Sequence, residues 1–490
     1  MRSVRLASLL VGAGLFLAAC GDNGTADSDG GIDGGSADGG DARVPDATID
    51  ARPIDSATAD AGLPQPKLVD SDNISAAFRP RIAVNASGRA LAVWLAGCTG
   101  TNCTEVWGNN YTNGNWGTAT KLNTLTGNIA AGTSPEYADV AIDAAGAGVV
   151  AWHQEDATPR QRVNVARWSG TAWSASQLLD DGTARARRPH VAAGNGTAVT
   201  VWEQGDTSAA RRTFAARLTG TTWTPAARIE ANTGGSLDVD VGMDPQGNAI
   251  AAWSQVTRPP ESPSTFREMW SNRLDGTSGN WGTAVVIGTD PNGSAVTPSV
   301  AVSANGTAIV AWNEFDTTSP MAGPFRFNIK ANRWSGTAWG ATAVSIENST
   351  SFTNDPVTAI DATGNGFAAW PIEVSPNLST VANTMSPTGT WGTLQPVEQF
   401  TGDTNTVHVS AGNGNGVVVW SQVTSGQNAH IKGVFFNGSS TGPVLAIENQ
   451  DGSADNCDVG MDAQGVAHVI WIQNIGPSTR SDVFSATIRP

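Results

Sequence analysis

The chain of 490 residues contains few basic, tyrosine and histidine residues. It has four Lys, two Tyr and five His, and its formal net charge is −16. A protein with so little basic surface cannot neutralise phosphates, so we exclude nucleic acid as a partner. The histidines are scattered singly, and no zinc-spaced pair, phosphate-binding glycine loop or serine-hydrolase motif is present. Beyond residue 19, no stretch is apolar enough to predict a membrane span.

The first residues have the pattern of an export signal. Arg2 and Arg5 precede an apolar segment, 6–19, that is too short to span a bilayer. This segment ends Leu17-Ala18-Ala19-Cys20, which resembles the lipobox of bacterial lipoproteins. The resemblance implies cleavage before Cys20 and a lipid anchor on its sulfur, and hence a cell-envelope location at the outer membrane or cell surface. The alternative is a plain secretory signal with an incidental Cys.

An acidic, glycine-rich segment follows the signal. Residues 21–63 hold ten Asp and two Arg, with few large apolar side chains. Such a composition cannot bury enough apolar surface to offset the entropy of ordering. We therefore predict three regions: a signal peptide over 1–19, the lipidated Cys and a disordered tether over 20–63, and a folded domain over 64–490.

Cysteine usage is typical of an exported protein. Cys98 and Cys103 lie five residues apart, and we expect them to form a small loop disulfide, because no further Cys or His pair completes a metal site. Cys457 remains without a partner, and we expect it to be a buried, inert thiol.

One phrase recurs eight times from residue 76 onward. Each copy has two apolar strands around a turn such as Asp143-Ala-Ala-Gly146 or Asp244-Pro-Gln-Gly247. The copies close on Trp94, Trp152, Trp202, Trp253, Trp312, Trp370, Trp420 and Trp471. Each unit then continues as a second hairpin, whose turn carries a further Trp in six copies. Eight regular copies near 54 residues indicate a repeat protein.

Four strands per unit predict an all-β fold, a single eight-bladed β-propeller. The eighth copy ends at Pro490 without a fourth strand, and Pro66–Asp70 has the sequence pattern of one. We therefore expect this N-terminal strand to complete the last blade and close the ring. A seven-bladed ring with one distorted copy is the second choice.

The Gly-Thr-x-Trp turn resembles a degenerate Asp-box, the turn of sialidase-type and lectin-like propellers. The resemblance implies a propeller fold and, as an alternative function, a sialidase-like glycoside hydrolase. The segment Phe78-Arg79-Pro80-Arg81 matches the arginine motif of that family poorly. The repeats also resemble eight-bladed quinoprotein-type propellers, although no vicinal Cys pair supports a quinone. A lipid-anchored scaffold of the outer-membrane barrel-assembly machine shares this architecture, which keeps an envelope assembly role open.

Aligning the repeats predicts two rings of polar residues on one face. The first, at the start of each first strand, contains Arg81, Asp139, His190, Asp240, Ser299, Val357, His408 and Asp458. The second, two residues after the closing Trp, contains Gln154, Gln204, Gln255, Glu314, Gln422 and Gln473. Both are candidate ligand-binding rings. The alternative is that the Gln side chains satisfy groups between blades and the Asp side chains cap strands.

Three arrangements could accommodate the carboxylates of the first ring: a bound calcium, an ion network centred on Arg81, or a wide channel in which water screens the charges. We rank the wide, wet channel first, because eight blades leave a broad axis. We expect no other cofactor. The variable loops after the second strand open on the same face, and those beginning at Thr257 and Asp316 are the longest.

These features favour a surface-anchored recognition propeller over an enzyme, with a glycan or a protein as its ligand. Trp at a fixed place in every blade is more often packing than a sugar platform. Trp107 and Trp270 lie outside that pattern and are the better candidates for ligand stacking. We expect the protein to be a monomer.

Overall fold

The computed structural model describes the chain from Pro64 onward, apart from short gaps. The described ranges are 64–70, 76–97, 104–123, 138–156, 158, 160–231, 233–257, 266–289, 293–316, 326–347, 351–374, 377–398, 402–423, 427–437, 440–448, 452–474 and 480–490. The predictions for 1–63, including the anchor at Cys20, therefore lie outside the described residues, as do Cys98 and Cys103. Within the described ranges, no helix long and apolar enough to span a membrane was found.

The strands form eight antiparallel sheets, one for each repeat. Blade 1 contains β2 (Ala77–Val84), β3 (Ala90–Gly97), β4 (Thr104–Thr112), β5 (Asn115–Trp116) and β6 (Thr120–Lys121). Blade 2 contains β7 (Ala138–Ile142), β8 (Gly148–Glu155), β9 (Gln161–Trp168) and β10 (Gln177–Leu178). Blade 3 contains β11 (Ala186–Gly194), β12 (Thr197–Gln204), β13 (Arg212–Thr219), β14 (Thr222–Trp223) and β15 (Ala227–Arg228). Blade 4 contains β16 (Ser236–Met243), β17 (Ala249–Val256), β18 (Arg267–Leu274) and β19 (Val285–Gly288).

The second half of the chain repeats this plan. Blade 5 contains β20 (Gly293–Val302), β21 (Ala308–Asp316), β22 (Arg326–Trp334) and β23 (Val344–Ser345). Blade 6 contains β24 (Val357–Ile360), β25 (Gly366–Val374), β26 (Asn377–Met385) and β27 (Gln395–Pro396). Blade 7 contains β28 (Asp403–Gly412), β29 (Asn415–Val423), β30 (Ala429–Asn437), β31 (Ser440–Thr441) and β32 (Leu445–Ala446). Blade 8 contains β33 (Ala454–Met461), β34 (Ala467–Asn474) and β35 (Ser481–Ile488), together with β1 (Lys67–Leu68).

The ring is closed as the sequence predicts. Strand β1 pairs with β35, so the N-terminal segment supplies the outer strand of the last blade. The amide of Val69 donates to Val483 O over 2.8 Å, and the buried Asp70 carboxylate accepts the Val483 amide. The first strands of successive blades contact one another around the ring, including β2 with β33. The chain is therefore an eight-bladed β-propeller, and the seven-bladed alternative is wrong.

The closing tryptophans form the core of the seams, by which we mean the interfaces between adjacent blades. All eight are at most 1% exposed and lie among apolar residues of their own and neighbouring blades. The small residues of the first strands allow the strands to approach closely at the axis. A Cβ at Gly460 would lie 2.5 Å from Cγ2 of Val84 in the next blade, so a larger residue cannot fit there.

The turn between the first and second strands has the predicted chemistry. In blade 2, Oδ1 of Asp143 accepts the amide of Ala147 over 2.9 Å, and Gly146 adopts a φ of +89°. Asp244 accepts the amides of Gln246 and Asn248 in the same way. The Asp side chains therefore close hairpins through their own backbone.

A β-bulge interrupts the first strand in six blades, just before the position of the predicted first ring. The residue at the bulge has φ between +48° and +55°, a conformation that non-glycine residues rarely adopt. These residues are Arg79, Arg188, Asp238, Thr297, Thr406 and Asn456. The bulge changes the direction of the side chains on the face where the first strands begin, which we call the mouth face.

Candidate functional site

The predicted first ring occupies one register position in all eight blades. Each of its members pairs with the residue that precedes the closing Trp of its blade. Six of them are ionisable and lie in the consecutive blades 7, 8, 1, 2, 3 and 4. We call this set the axial belt: His408, Asp458, Arg81, Asp139, His190 and Asp240.

One half of the axial belt is joined by hydrogen bonds. Nδ1 of His408 lies 3.1 Å from Oδ1 of Asp458, and Nη1 of Arg81 lies 3.3 Å from Nε2 of His408. A guanidinium can only donate, so Nε2 of His408 accepts, and the imidazole proton is placed on Nδ1 facing Asp458. Burial alone would raise the pKa of Asp458, but His408, Arg81 and the amide of Ile82 outweigh it and hold the pKa below its usual value.

The other half is looser. Nδ1 of His190 lies 3.4 Å from Oδ1 of Asp240 and 3.8 Å from Oδ2 of Asp139. Each carboxylate also accepts an amide of the next blade: Asp139 from Val191 over 2.8 Å, and Asp240 from Val300 over 2.7 Å. Burial raises the pKa of both Asp139 and Asp240, although His190 opposes the shift.

These contacts favour the ion network over screening by water, so our ranking of the wide, wet channel first was wrong. Acid and base alternate from blade to blade, and the carboxylates cross the seams to backbone amides as well. Among the described residues, no group of three or more His, Cys, Asp and Glu has the arrangement of a metal site. The axial belt therefore joins blades around the axis.

The second predicted ring is not on the surface. Its six members, Gln154, Gln204, Gln255, Glu314, Gln422 and Gln473, are each at most 4% exposed. In five blades the side-chain oxygen accepts the indole N–H of the closing Trp, at 2.9 Å for Trp253 and Gln255. Their amide groups reach acids at the end of the preceding blade, as Gln473 does with Glu448 over 2.9 Å and Gln422 with Glu398 over 2.9 Å. These side chains satisfy groups between blades, which was the alternative interpretation.

Trp107 and Trp270 are half-buried in seams rather than fully exposed. Both are in third strands, opposite the closing tryptophans Trp94 and Trp253, and both are partly buried in the core of a seam. The indole of Trp107 donates to Glu105 over 3.0 Å. The corresponding position holds Phe214 in blade 3 and Phe484 in blade 8, and residues that are not aromatic in the other four blades.

Other candidates are placed as follows. Tyr111 packs against Trp116 and His468 near the inner hairpin turns, on the face opposite the mouth, and Tyr137 is outside the described residues. Cys457 is buried, its thiol donates to Thr406 O over 3.2 Å, and burial raises its pKa, as expected of an inert thiol. The long loops that follow Thr257 and Asp316 lie outside the described residues.

The mouth face also carries a cluster of arginines that the sequence did not predict. It lies at the seam between blades 3 and 4 and surrounds the carboxylate of Glu203, whose side chain is 0% exposed. Arg187 and Arg188 come from the bulge of β11, Arg211 from the loop before β13, and Arg267 from the start of β18. With Glu203 and Asp238, these residues form what we call the arginine cluster: Arg187, Arg188, Arg211, Arg267, Glu203 and Asp238.

Glu203 holds its cations at long distances. Its Oε1 accepts the amide of Asp238 over 2.8 Å, and Nη1 of Arg188 lies 3.6 Å away. Its Oε2 lies 3.5 Å from Nε of Arg187 and 3.4 Å from Nη1 of Arg211. Arg188 makes a closer contact with Asp238, at 2.8 Å. The one short bond to Glu203 among these contacts therefore comes from the backbone.

Burial dominates the electrostatics of this cluster. Removal from water raises the pKa of Glu203 to about 7, with Asp238 adding to the shift and Arg188 and Arg187 opposing it. Burial also lowers the pKa of Arg267. Among the described residues, four guanidinium groups face two carboxylates, so this part of the cluster has an excess of positive charge in a chain of net charge −16. The doublets Arg187-Arg188 and Arg211-Arg212 were the sequence signal, but nothing in them indicates that Arg267 lies nearby.

The comparisons with known proteins give only distant matches. No protein-family model matches the chain, and no curated protein matches it. Among solved structures, an ulvan lyase of a new polysaccharide lyase family is 10% identical, with coverage of 86% of this chain and 95% of the lyase and a TM-score of 0.48. The Hadza microbial sialidase is 13% identical, with coverage of 69% and 73% and a TM-score of 0.37. The β-propeller domain of a trilobed protease from Pyrococcus furiosus is 8% identical, with coverage of 76% and 98% and a TM-score of 0.43.

Proposed function

We propose that the chain is a surface-anchored recognition propeller that binds a glycan on its mouth face, at the seam between blades 3 and 4. The observation that carries this proposal is the arginine cluster, whose positive excess contrasts with the acidic remainder of the chain. In recognition sites, arginine presents five N–H donors in a fixed planar arrangement that suits anionic and hydroxyl oxygens. The axial belt, by contrast, directs its charges towards other residues of the protein.

The exposed fractions of the side chains support binding rather than catalysis at this seam. Arg188 is 35% exposed and Arg187 and Arg211 are 19% and 16% exposed, so a ligand can reach their outer edges. The Glu203 carboxylate is fully buried beneath them. A general acid must reach the leaving-group oxygen of its substrate, and Glu203 in this position cannot.

A glycan array with the purified full chain tests the proposal. We expect binding that Arg211→Gln weakens about tenfold or more, since a hydrogen bond from a charged donor is lost. The control is Arg185→Gln, because Arg185 is an exposed arginine on the same face and lies outside the cluster. Equal losses in the two variants, or no glycan bound while a protein is captured by pull-down, would contradict the proposed glycan site.

The anchor is a separate part of the proposal. The lipobox-like segment ending at Cys20 would attach the chain to the cell envelope, and the acidic segment 21–63 would hold the propeller away from the membrane. Cys20→Ser should then move the protein from the membrane fraction to the soluble exported fraction. Unchanged partition would mean that something other than acyl chains holds it.

A further inference from the structure

The arginine cluster contains hydrogen-bond donors that its own acceptors do not use. Within the described ranges, Nη1 of Arg267 and Nε of Arg211 are buried and make no hydrogen bond, and the buried Nε of Arg187 has a long contact of 3.5 Å with Oε2 of Glu203. Buried polar groups are almost always satisfied in native proteins, so several orphaned donors at one place require an explanation. An acceptor from outside the protein, bound among the guanidinium groups, would satisfy them.

The charge of the cluster restricts what this acceptor can be. In the described part of the chain, the four guanidinium groups and two carboxylates of the cluster leave two positive charges in excess when both acids are ionised. One anionic group with several oxygens lowers that excess and suits the planar donors. A densely charged polyanion does not, because the net charge of −16 repels it at long range.

We infer that the arginine cluster binds a single oxyanion, a sulfate ester or a uronate carboxylate on an otherwise neutral glycan, and that Glu203 takes up a proton as the anion binds. This inference rests on the proposed function, since it names the chemical group that the same face recognises. The proton comes from solvent, and no covalent bond is made or broken.

The geometry explains why the proton should accompany the anion. Glu203 is held at 3.4–3.6 Å from three arginines, while its one short bond comes from the Asp238 amide. A bound oxyanion would compete for those arginines and place a second negative charge above the buried carboxylate. With the pKa of Glu203 already raised to about 7 by burial, the added charge favours its neutral form at physiological pH.

Titration calorimetry of the full chain with inorganic sulfate provides the test. Measurements at the same pH in two buffers of different ionisation enthalpy give the number of protons taken up. We expect net uptake near pH 8, and sulfate affinity that is roughly five to ten times higher at pH 6 than at pH 8. A parallel titration with glucuronate shows whether the site prefers the sulfate or the carboxylate, and stronger binding of either one supports the inference.

Two substitutions separate the roles within the cluster. Glu203→Gln removes the titrating group but keeps the size of the side chain, so sulfate should bind with an affinity that no longer depends on pH between 6 and 8. Arg267→Gln should abolish sulfate binding, whereas the matched control Arg185→Gln should leave it unchanged. The calorimetry of the unsubstituted chain requires no variant, so it remains decisive if a substitution prevents folding.

The outcomes distinguish this inference from the proposed function. Absence of sulfate and glucuronate binding at both pH values overturns the inference, even if a neutral glycan is captured on the array. Binding without proton uptake, or binding that Arg267→Gln does not affect, also overturns it. If the array finds no glycan while sulfate binds with proton uptake, the inference about the site holds and the proposed glycan function fails.

Discussion

Two buried carboxylates perform the same task at different seams of the ring. Asp458 of blade 8 accepts the Ile82 amide of blade 1 over 2.9 Å, and Glu203 of blade 3 accepts the Asp238 amide of blade 4 over 2.8 Å. Their pKa values nevertheless shift in opposite directions. The pKa of Asp458 lies below its usual value, and that of Glu203 is raised to about 7.

The difference lies in how the charge is compensated. Asp458 has a second backbone donor, Val459, at 2.8 Å and the His408 imidazole at 3.1 Å. Glu203 has more cations around it, but Arg187, Arg188 and Arg211 lie 3.4–3.6 Å from its carboxylate oxygens. At Asp458, the electrostatic interaction and hydrogen bond with His408, together with Arg81 and the Ile82 amide, outweigh the effect of burial on the pKa. At Glu203, the more distant guanidinium groups do not. The carboxylate of Asp458 is held by short hydrogen bonds, while that of Glu203 has its arginines at longer distances, and it is this second seam that we propose as the ligand site.

Removing the strand that completes the seam of blades 8 and 1 should have the largest effect. Deletion of 64–75 removes β1, the buried Val69 and the hydrogen bonds that Val69 and Asp70 make with Val483. Burial of a Val side chain and several hydrogen bonds together predict a loss of about 3 kcal/mol or more in the free energy of unfolding. The exposed edge of β35 should also promote aggregation.

The measurement is thermal and denaturant unfolding of the deletion variant and its parent. A deletion of equal length within 21–63 is the matched control, and it should not change the melting temperature. If the variant that lacks 64–75 unfolds like its parent, the ring is closed in some other way.

Glu203→Gln should remove the pH dependence of stability that the buried acid imposes. The pKa of Glu203 is raised from 4.5 to about 7, so the folded state binds more protons than the unfolded state between these values. Stability therefore falls as the pH rises through this range, by about 3 kcal/mol in total, and the Gln variant lacks that term. In denaturant unfolding, the stability of the variant relative to its parent should increase by that amount between pH 4.5 and pH 8. A stability difference that does not change with pH would contradict the raised pKa of Glu203.

Asp458→Asn sharpens the comparison because its pH dependence has the opposite sign. A carboxylate with a lowered pKa stabilises the folded state above its unfolded pKa and loses that effect as the pH falls through its folded pKa. We expect the Asn variant to be about 2 kcal/mol less stable at pH 7, from weakened hydrogen bonds to His408 and Ile82, and nearly equal to its parent in strong acid. A destabilisation that persists unchanged in acid would indicate a packing defect.

Asp240→Asn should have the smallest effect. Burial raises the pKa of Asp240, and its side chain is 23% exposed, so the charge itself contributes little. Asn can still accept one of the two amides, from Val241 or Val300, that Asp240 holds. We expect a loss under about 1 kcal/mol in urea unfolding at pH 7. A loss of stability as large as that of Asp458→Asn would mean that the two halves of the axial belt stabilise the fold equally.

Sequence periodicity was sufficient to predict the fold. Eight closing tryptophans at regular spacing give eight blades, and the missing fourth strand of the last copy identifies Pro66–Asp70 as its closing strand. The same alignment placed the axial belt, because one register position repeats in every blade. These features are local or strictly repeated, which is why a single sequence reveals them.

The arginine cluster could not be found in this way, because it follows no repeat. Its members come from four strands and a loop of two blades. The positive φ of Arg188 and Asp238 brings their side chains to 2.8 Å across a seam. The second ring was misplaced for a related reason. Spacing put Gln255 near the mouth, but only the structure shows its oxygen turned inward to the Trp253 indole.

The central claim is that Asp458 and Glu203 both accept a backbone amide across a seam but differ in protonation near neutral pH, where Asp458 is ionised and Glu203 is partly protonated. Site-resolved carbon NMR of the side-chain carboxyl groups, assigned with Asp458→Asn and Glu203→Gln, measures this directly. We predict that Glu203 titrates near pH 7 and moves upward when sulfate is added, while Asp458 titrates below its usual value of about 3.9. Titration of Glu203 near 4.5, unchanged by sulfate, would contradict the account.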